Sequence, residues 1–303
     1  MNPRIAILIC THDRPEFLRL LLDGLRHERQ PGVFLCVVDN GMRSSAAIVE
    51  PFRAEFELFY RRVEEPGVVV ARNACLALAM DHAPDVLVFI DDDETPNSGW
   101  LAAMMRTLRD TNADFVTGPV EAKFLVPPPD WAIRGDFFRH DGRSYRTSNL
   151  AIRAASFPKD PEDWFQARFN RLGGEDSELL GRLVGGGAVH EVAADAVVTE
   201  FVPAERLRRR YIWRCGTRDG AIIAETILTA RGNTAAAYAA CLIEAAKKLG
   251  YAANHLFWTL RSPWRVNSAI RDVNASAGIV LKLAGRSSHY YGSHGAAAQD
   301  QPT

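Results

Sequence analysis

The chain is poor in lysine, has no C-x-x-C motif and carries no long apolar run. Of 36 basic residues only five are lysines, Lys123, Lys159, Lys247, Lys248 and Lys282. None stands in a phosphate-cradling loop, which counts against a metal-dependent nucleotidyl or phosphoryl transferase. The five cysteines (Cys10, Cys36, Cys75, Cys215 and Cys241) are odd in number and scattered through apolar segments without a C-x-x-C pair. They read as reduced core thiols of a cytoplasmic protein. No apolar stretch approaches the roughly 18 residues of a spanning helix, and the first residues lead straight into a short strand, without the pattern of a secretion signal. No internal repeat is present.

What is present is an uneven charge. The net charge is −1, yet 32 acids and 22 basic residues fall up to Glu205, against 5 acids and 14 basic residues beyond it. An acidic part suits a divalent cation, and a basic part suits an anionic surface. The 47% hydrophobic content over 303 residues supports a sizeable core, and the first third alternates strands with helices. Strands are predicted at 5–10, 34–38, 58–62 and 86–90, and helices at 16–25, 44–56, 69–80 and 100–108. This predicts an α/β fold with a mostly parallel sheet covered on both faces, whose ligands bind beyond the carboxyl ends of the strands. Further strands are expected at 115–120, 147–153 and 192–198, and helices at 175–184, 206–229, 234–249 and 269–283. The domains are read as 1–203 for the catalytic part, 204–286 for a basic helical extension and 287–303 for a disordered tail.

Polar loops follow three of the strands: Thr11-His12-Asp13-Arg14, Asp39-Asn40-Gly41 and Asp91-Asp92-Asp93-Glu94. Asp91 and Asp93 share a face at the end of an extended segment, so together they suit Mg²⁺ or Mn²⁺ completed by diphosphate oxygens. The same run also fits a helix cap. Asp39 is placed to accept from a base or ribose, and equally to make an Asx turn. Arg72 opens a helix after Pro66-Gly67, where it faces an anion or an ordinary solvent layer. Glu175 and Asp176 sit in a first helical turn, favoured by the helix dipole in any case; as a functional pair they would supply a general base.

In this order the segments Ile9–Pro15, Val37–Asn40, Ala71–Cys75, Phe89–Glu94, Gly118–Val120, Pro128–Trp131, Thr147–Asn149 and Gly173–Asp176 resemble the family 2 glycosyltransferases of GT-A fold. The likeness extends to Val202–Arg206 and is nearest to the succinoglycan-type exopolysaccharide glucosyltransferases of bacteria. It implies inverting, metal-dependent transfer of a hexose from a UDP-sugar to a glycan or polyprenyl-linked saccharide. Thr11 and Asp39 would hold the nucleoside, Arg72 the base or diphosphate, and Asp91 the ribose with Asp92 beside it. Asp93 would hold the metal, Asp176 would be the base with Glu175 next to it, and Asn149 and Trp131 would line the acceptor side. Where such enzymes place a late metal-binding histidine, this sequence reads Val197-Val198-Thr199-Glu200-Phe201, which makes Glu200 the candidate ligand. His190, on an apolar strand, reads chiefly as a packed imidazole.

Arg206, Arg208, Arg209, Arg210, Arg214 and Arg218 interleave with Tyr211 and Trp213. This pattern fits either an anionic membrane, on the inner face of the plasma membrane, or pairing with the acidic part. Nucleic acid is not expected, because no base-reading motif accompanies the arginines.

Overall fold

The computed structural model describes residues 3–135 and 137–286, so the expected disordered tail lies outside the described residues. The elements in chain order are β1 (Ile5–Thr11), α1 (Pro15–Leu25), β2 (Val33–Asp39), α2 (Ala46–Val49), β3 (Glu57–Arg62), α3 (Val68–Met80), β4 (Val86–Phe89) and β5 (Glu94–Pro96). There follow α4 (Trp100–Thr111), β6 (Phe115–Thr117), β7 (Val120–Phe124), α5 (Asp130–Arg134), β8 (Leu150–Arg153), α6 (Glu175–Gly185), β9 (His190–Val192) and β10 (Val198–Val202). Three long helices complete the chain: α7 (Arg209–Arg231), α8 (Ala235–Phe257) and α9 (Arg265–Leu283).

The main sheet has the order β3-β2-β1-β4-β8-β6-β9. β1 pairs in parallel with both β2 and β4, and β2 in parallel with β3; β8 runs antiparallel between β4 and β6. The strands bury both faces without polar gaps: Ile5, Ile7, Ile9, Leu35, Val37 and Val88 enter one core, and Ala6, Leu8, Phe34, Cys36 and Leu87 between them are buried as well. Helix α1 supplies Leu18, Leu21, Leu22 and Leu25 to that core, at the i, i+3, i+4, i+7 spacing of one helical face. Parallel β1, β2 and β4 therefore deliver Thr11, Asp39 and the 91–94 run to the same edge.

Three local expectations change. The strand expected over 115–120 breaks at Gly118-Pro119, because Pro119 has no N–H to donate and a Cβ at Gly118 would collide with the Ala196 carbonyl. The strand expected over 192–198 is two short strands, β9 and β10, flanking a turn. The helix expected over 44–56 shrinks to α2 and a 3₁₀ turn at Glu50–Ala54, with Pro51 interrupting the helical hydrogen bonds.

The chain forms two compact units. The first comprises the chain up to Lys123, Phe138–Ala167 and Glu175–Phe201; the second comprises Phe124–Phe137, Arg168–Gly174 and the chain from Val202 onward. Within the second, α7, α8 and α9 pack on one another. Among the described residues no helix is long and apolar enough to cross a membrane.

Candidate active site

The edge of the first unit is organised by two arginines. Thr11 Oγ1 donates to Asp92 Oδ2 at 2.9 Å, and Arg14 Nη1 donates to Asp92 Oδ1 at 3.0 Å and Asp93 Oδ2 at 2.9 Å. Asp92 and Asp93 are buried, and burial, with Asp93 alongside, pushes Asp92 up to about 6 against the opposing pull of Arg14. The chain then turns so that Glu94 accepts from the Asp91 N–H at 3.1 Å. Glu94 enters β5 directly opposite Glu200 of antiparallel β10. Like charges opposed in a sheet repel, and burial together with Asp91 and Glu200 holds the Glu94 carboxyl well above the usual carboxylate range.

Arg72 joins this edge to α6. Its side chain is 12% exposed and pairs with Asp91 Oδ1 at 3.6 Å and with Glu175, itself 2% exposed. Phe165 lies under the guanidinium, 5.8 Å from ring centroid to Cζ. Asn73 holds Phe165 there, donating to its carbonyl at 2.9 Å and accepting its N–H at 3.2 Å. The neighbouring Asp176 is close enough that burial, then Asp93 and Asp176, raise Asp91, with Arg72 opposing. Its Oδ1 accepts from the Ser177 N–H at 2.6 Å, and its side chain is half-buried. Glycines of positive φ, Gly173 at 84° and Gly174 at 87°, form the turn into α6, a geometry that other residues adopt at a cost.

The other expected site residues divide. Asp39 is fully buried and accepts from Gly41 N at 2.9 Å, Ser45 N at 2.6 Å and the Tyr60 hydroxyl at 2.9 Å. Its carboxylate shapes the loop after β2 and keeps one acceptor position of about four. Asn149, expected on the acceptor side, is corrected to a structural tie. It is fully buried, accepts from Trp100 Nε1 at 2.6 Å and donates to the Pro119 and Ala196 carbonyls at 2.8 and 2.7 Å. Its φ of 57° is a left-handed conformation that asparagine tolerates well. Asn149→Ala is expected to destabilise the protein by about 3–4 kcal/mol, because it strands the buried Trp100 donor and two carbonyls; urea denaturation measures it.

Trp131 belongs to the second unit, edge-on to Phe137 at 5.5 Å. His190 stacks on Phe115 at 4.8 Å and its Nε2 lies 2.6 Å from Thr117 Oγ1; burial lowers its pKa, so it is a packed imidazole. Arg208, Arg209, Arg210 and Trp213 are exposed, whereas Arg206, Arg214 and Arg218 are half-buried. Arg14 and Glu94 carry more of the site than their sequence signals suggested. The usable signal for Arg14 was an arginine three residues beyond a strand on an acid-rich edge.

Asp92 and Asp93 thus face Arg14, Asp91 and Glu175 face Arg72, and Glu94 stands opposite Glu200. Among the described residues no group of three or more His, Cys, Asp or Glu is set to enclose a metal ion. A hard cation that keeps its water and takes phosphate oxygens needs only one or two carboxylates. Asp93 and Glu200 are oxygen donors of the kind such a cation takes, and Asp93 Oδ2 is held by Arg14.

A mostly parallel sheet with acidic loops at one edge and a single antiparallel strand, β8, set within it defines the GT-A glycosyltransferase fold. Residues 6–171 match the family model "Glycosyl transferase family 2", and the chain belongs to that family. It is 30% identical over 241 residues to the succinoglycan biosynthesis protein ExoM of Rhizobium meliloti, covering 73% of this chain and 75% of that protein. Similar solved folds include a mannosyltransferase of Pyrobaculum calidifontis in complex with GDP-Man and Mn²⁺, with TM-score 0.59, 16% identity and coverage of 95% and 89% of the two chains. Another is TarS 1–349 of S. aureus in complex with UDP-GlcNAc, with TM-score 0.53, 13% identity and coverage of 93% and 92%.

Proposed function

We propose that this glycosyltransferase moves a hexose, glucose in the first instance, from a UDP-sugar to a lipid-linked or growing glycan with inversion at the anomeric carbon. The observation that carries the reading is the Asp91–Arg72–Glu175 bridge, which puts Asp176 of α6 beside the strand-end acids. The succinoglycan relative supports a role in exopolysaccharide synthesis, and the nucleotide-sugars in the similar solved folds support the donor class.

Thr11 and Asp39 form the nucleoside end of the donor site, Asp91 and Asp92 the ribose side, and Arg72 the diphosphate side. Asp93, with Glu200 as a second carboxylate, would hold Mg²⁺ or Mn²⁺. The ion, when bound, supplies positive charge against the departing diphosphate. Asp176 takes the proton of the acceptor hydroxyl while that oxygen bonds to the anomeric carbon, and the C–O bond to the diphosphate breaks with its electron pair leaving on the nucleotide. Glu175 is a positioning residue, fixing Arg72 and the first turn of α6. Exposed Arg208–Arg210 would face an anionic leaflet where a lipid-linked acceptor resides.

The test is release of nucleoside diphosphate from UDP-glucose, UDP-galactose, UDP-GlcNAc and GDP-mannose with Mn²⁺ and a lipid-linked acceptor. A UDP-hexose is the expected substrate, and excess chelator is expected to cut turnover about a hundredfold or more. Full turnover in chelator would remove the metal assignment, and exclusive use of GDP-mannose would remove the donor assignment.

A further inference from the structure

Helix α8 is packed inside out. The residues it buries are small, namely Ala237, Cys241, Ala245 and Ala252, while Tyr238, Leu242, Leu249 and Leu256 are 40%, 55%, 51% and 51% exposed. Their spacing of four, seven and seven places them along one line of the helix. A helix in water normally buries its large apolar residues. Helices α7 and α9 also meet through small residues. Gly216 and Gly220 of α7 meet the Arg271 and Ala275 carbonyls of α9 so closely that a Cβ would collide, and Gly278 of α9 meets Thr217 in the same way. Close packing through small residues with large ones outside is how helices associate in lipid.

We propose that the outer face of α8, continued by the turn from Phe257 to Arg265, is a membrane-interface surface that lies in the headgroup and upper acyl region of an anionic lipid leaflet. It is a different surface from the Arg208–Arg210 strip, and it stands whether or not the acceptor is lipid-linked.

Three features select this occupant. The turn carries Phe257, Trp258 and Leu260 at 73%, 38% and 95% exposure, and Arg261 and Arg265 lie over Trp258 and Trp264 at 5.6 and 5.0 Å. Tryptophan and arginine together are the side chains of a lipid interface, apolar below and charged above. Lys247 pairs with Glu244, Lys248 with Asp272 and Arg271 with Asp219, while from Ala245 to Arg271 there is no acid; Arg261 and Arg265 of the turn are therefore the cations that attract anionic headgroups. A second copy would set Arg261 and Arg265 of the turn against their own counterparts, like charge on like. Since no described helix is suited to span, the surface lies on the bilayer rather than through it.

The test is co-sedimentation of the full chain with vesicles of equimolar phosphatidylcholine and phosphatidylglycerol, and with phosphatidylcholine alone. The wild type is expected to bind the mixed vesicles about tenfold more than the neutral ones. Leu242→Ser/Leu249→Ser/Leu256→Ser should reduce binding about tenfold or more. The single variant Leu260→Asp should reduce it several-fold, and both variants should keep the wild-type far-UV circular dichroism. The proposal is overturned if the wild type stays in the supernatant with both vesicles, or if the triple variant sediments like the wild type. It is also overturned if the wild type is a dimer that ignores vesicles and the triple variant is a monomer, which would assign the face to a second copy.

Discussion

Asp176→Asn is expected to lower turnover about a thousandfold while leaving UDP-sugar affinity within about threefold of wild type, the signature of a group needed only in the transition state. The asparagine keeps the volume and can still accept from the Ser177 N–H, so α6 is not disturbed. It cannot take a proton. Isothermal titration with the donor, beside steady-state turnover, separates the two quantities. A variant that loses affinity in proportion to turnover would move Asp176 from base to donor ligand.

Arg72→Ala is expected to act on both stability and chemistry. Glu175 is 2% exposed, its Oε1 pairs with Arg72, and its Oε2 has no hydrogen-bond partner. Removing one partner of a buried pair costs about 3–5 kcal/mol. Protonation of the stranded carboxyl relieves part of this, so a loss of about 3 kcal/mol in chemical denaturation is the expected outcome. Donor affinity should fall about a hundredfold or more, because Arg72 holds Asp91 as well. The double variant Arg72→Ala/Glu175→Gln should recover most of the stability and none of the affinity. Recovery of both would mean that Arg72 serves only to neutralise Glu175.

The parallel half of the sheet was legible because short runs of Val, Ile and Leu, each followed by a helix, suit strands buried on both faces and little else. The positions of Thr11, Asp91 and Asp93 followed from where those strands end. The antiparallel half was less legible. Residues 115–120 have strand composition throughout, and only the pairing of Gly118 and Asn149 with the 193–197 turn shows why the strand breaks there. Asn149 illustrates the same limit. Its residue type suits a binding loop as well as a buried tie, and the choice was made by Trp100 and Ala196, 49 and 47 residues away. The Arg72–Glu175 pair spans about a hundred residues of chain. Local pattern placed both ends on helices but could not join them.

The inside-out character of α8 was hidden for the opposite reason. Its composition reads as an ordinary apolar helix, and only the burial of Ala237, Cys241, Ala245 and Ala252 shows which face is turned outward.

A single displacement in which Asp176 activates the acceptor fixes the anomeric configuration of the product, which therefore tests the mechanism most directly. Proton NMR of the product formed from an α-linked UDP-glucose donor is expected to show the β-anomer, with the large coupling of two axial protons. An α-linked product would contradict the single displacement and the role of Asp176 together.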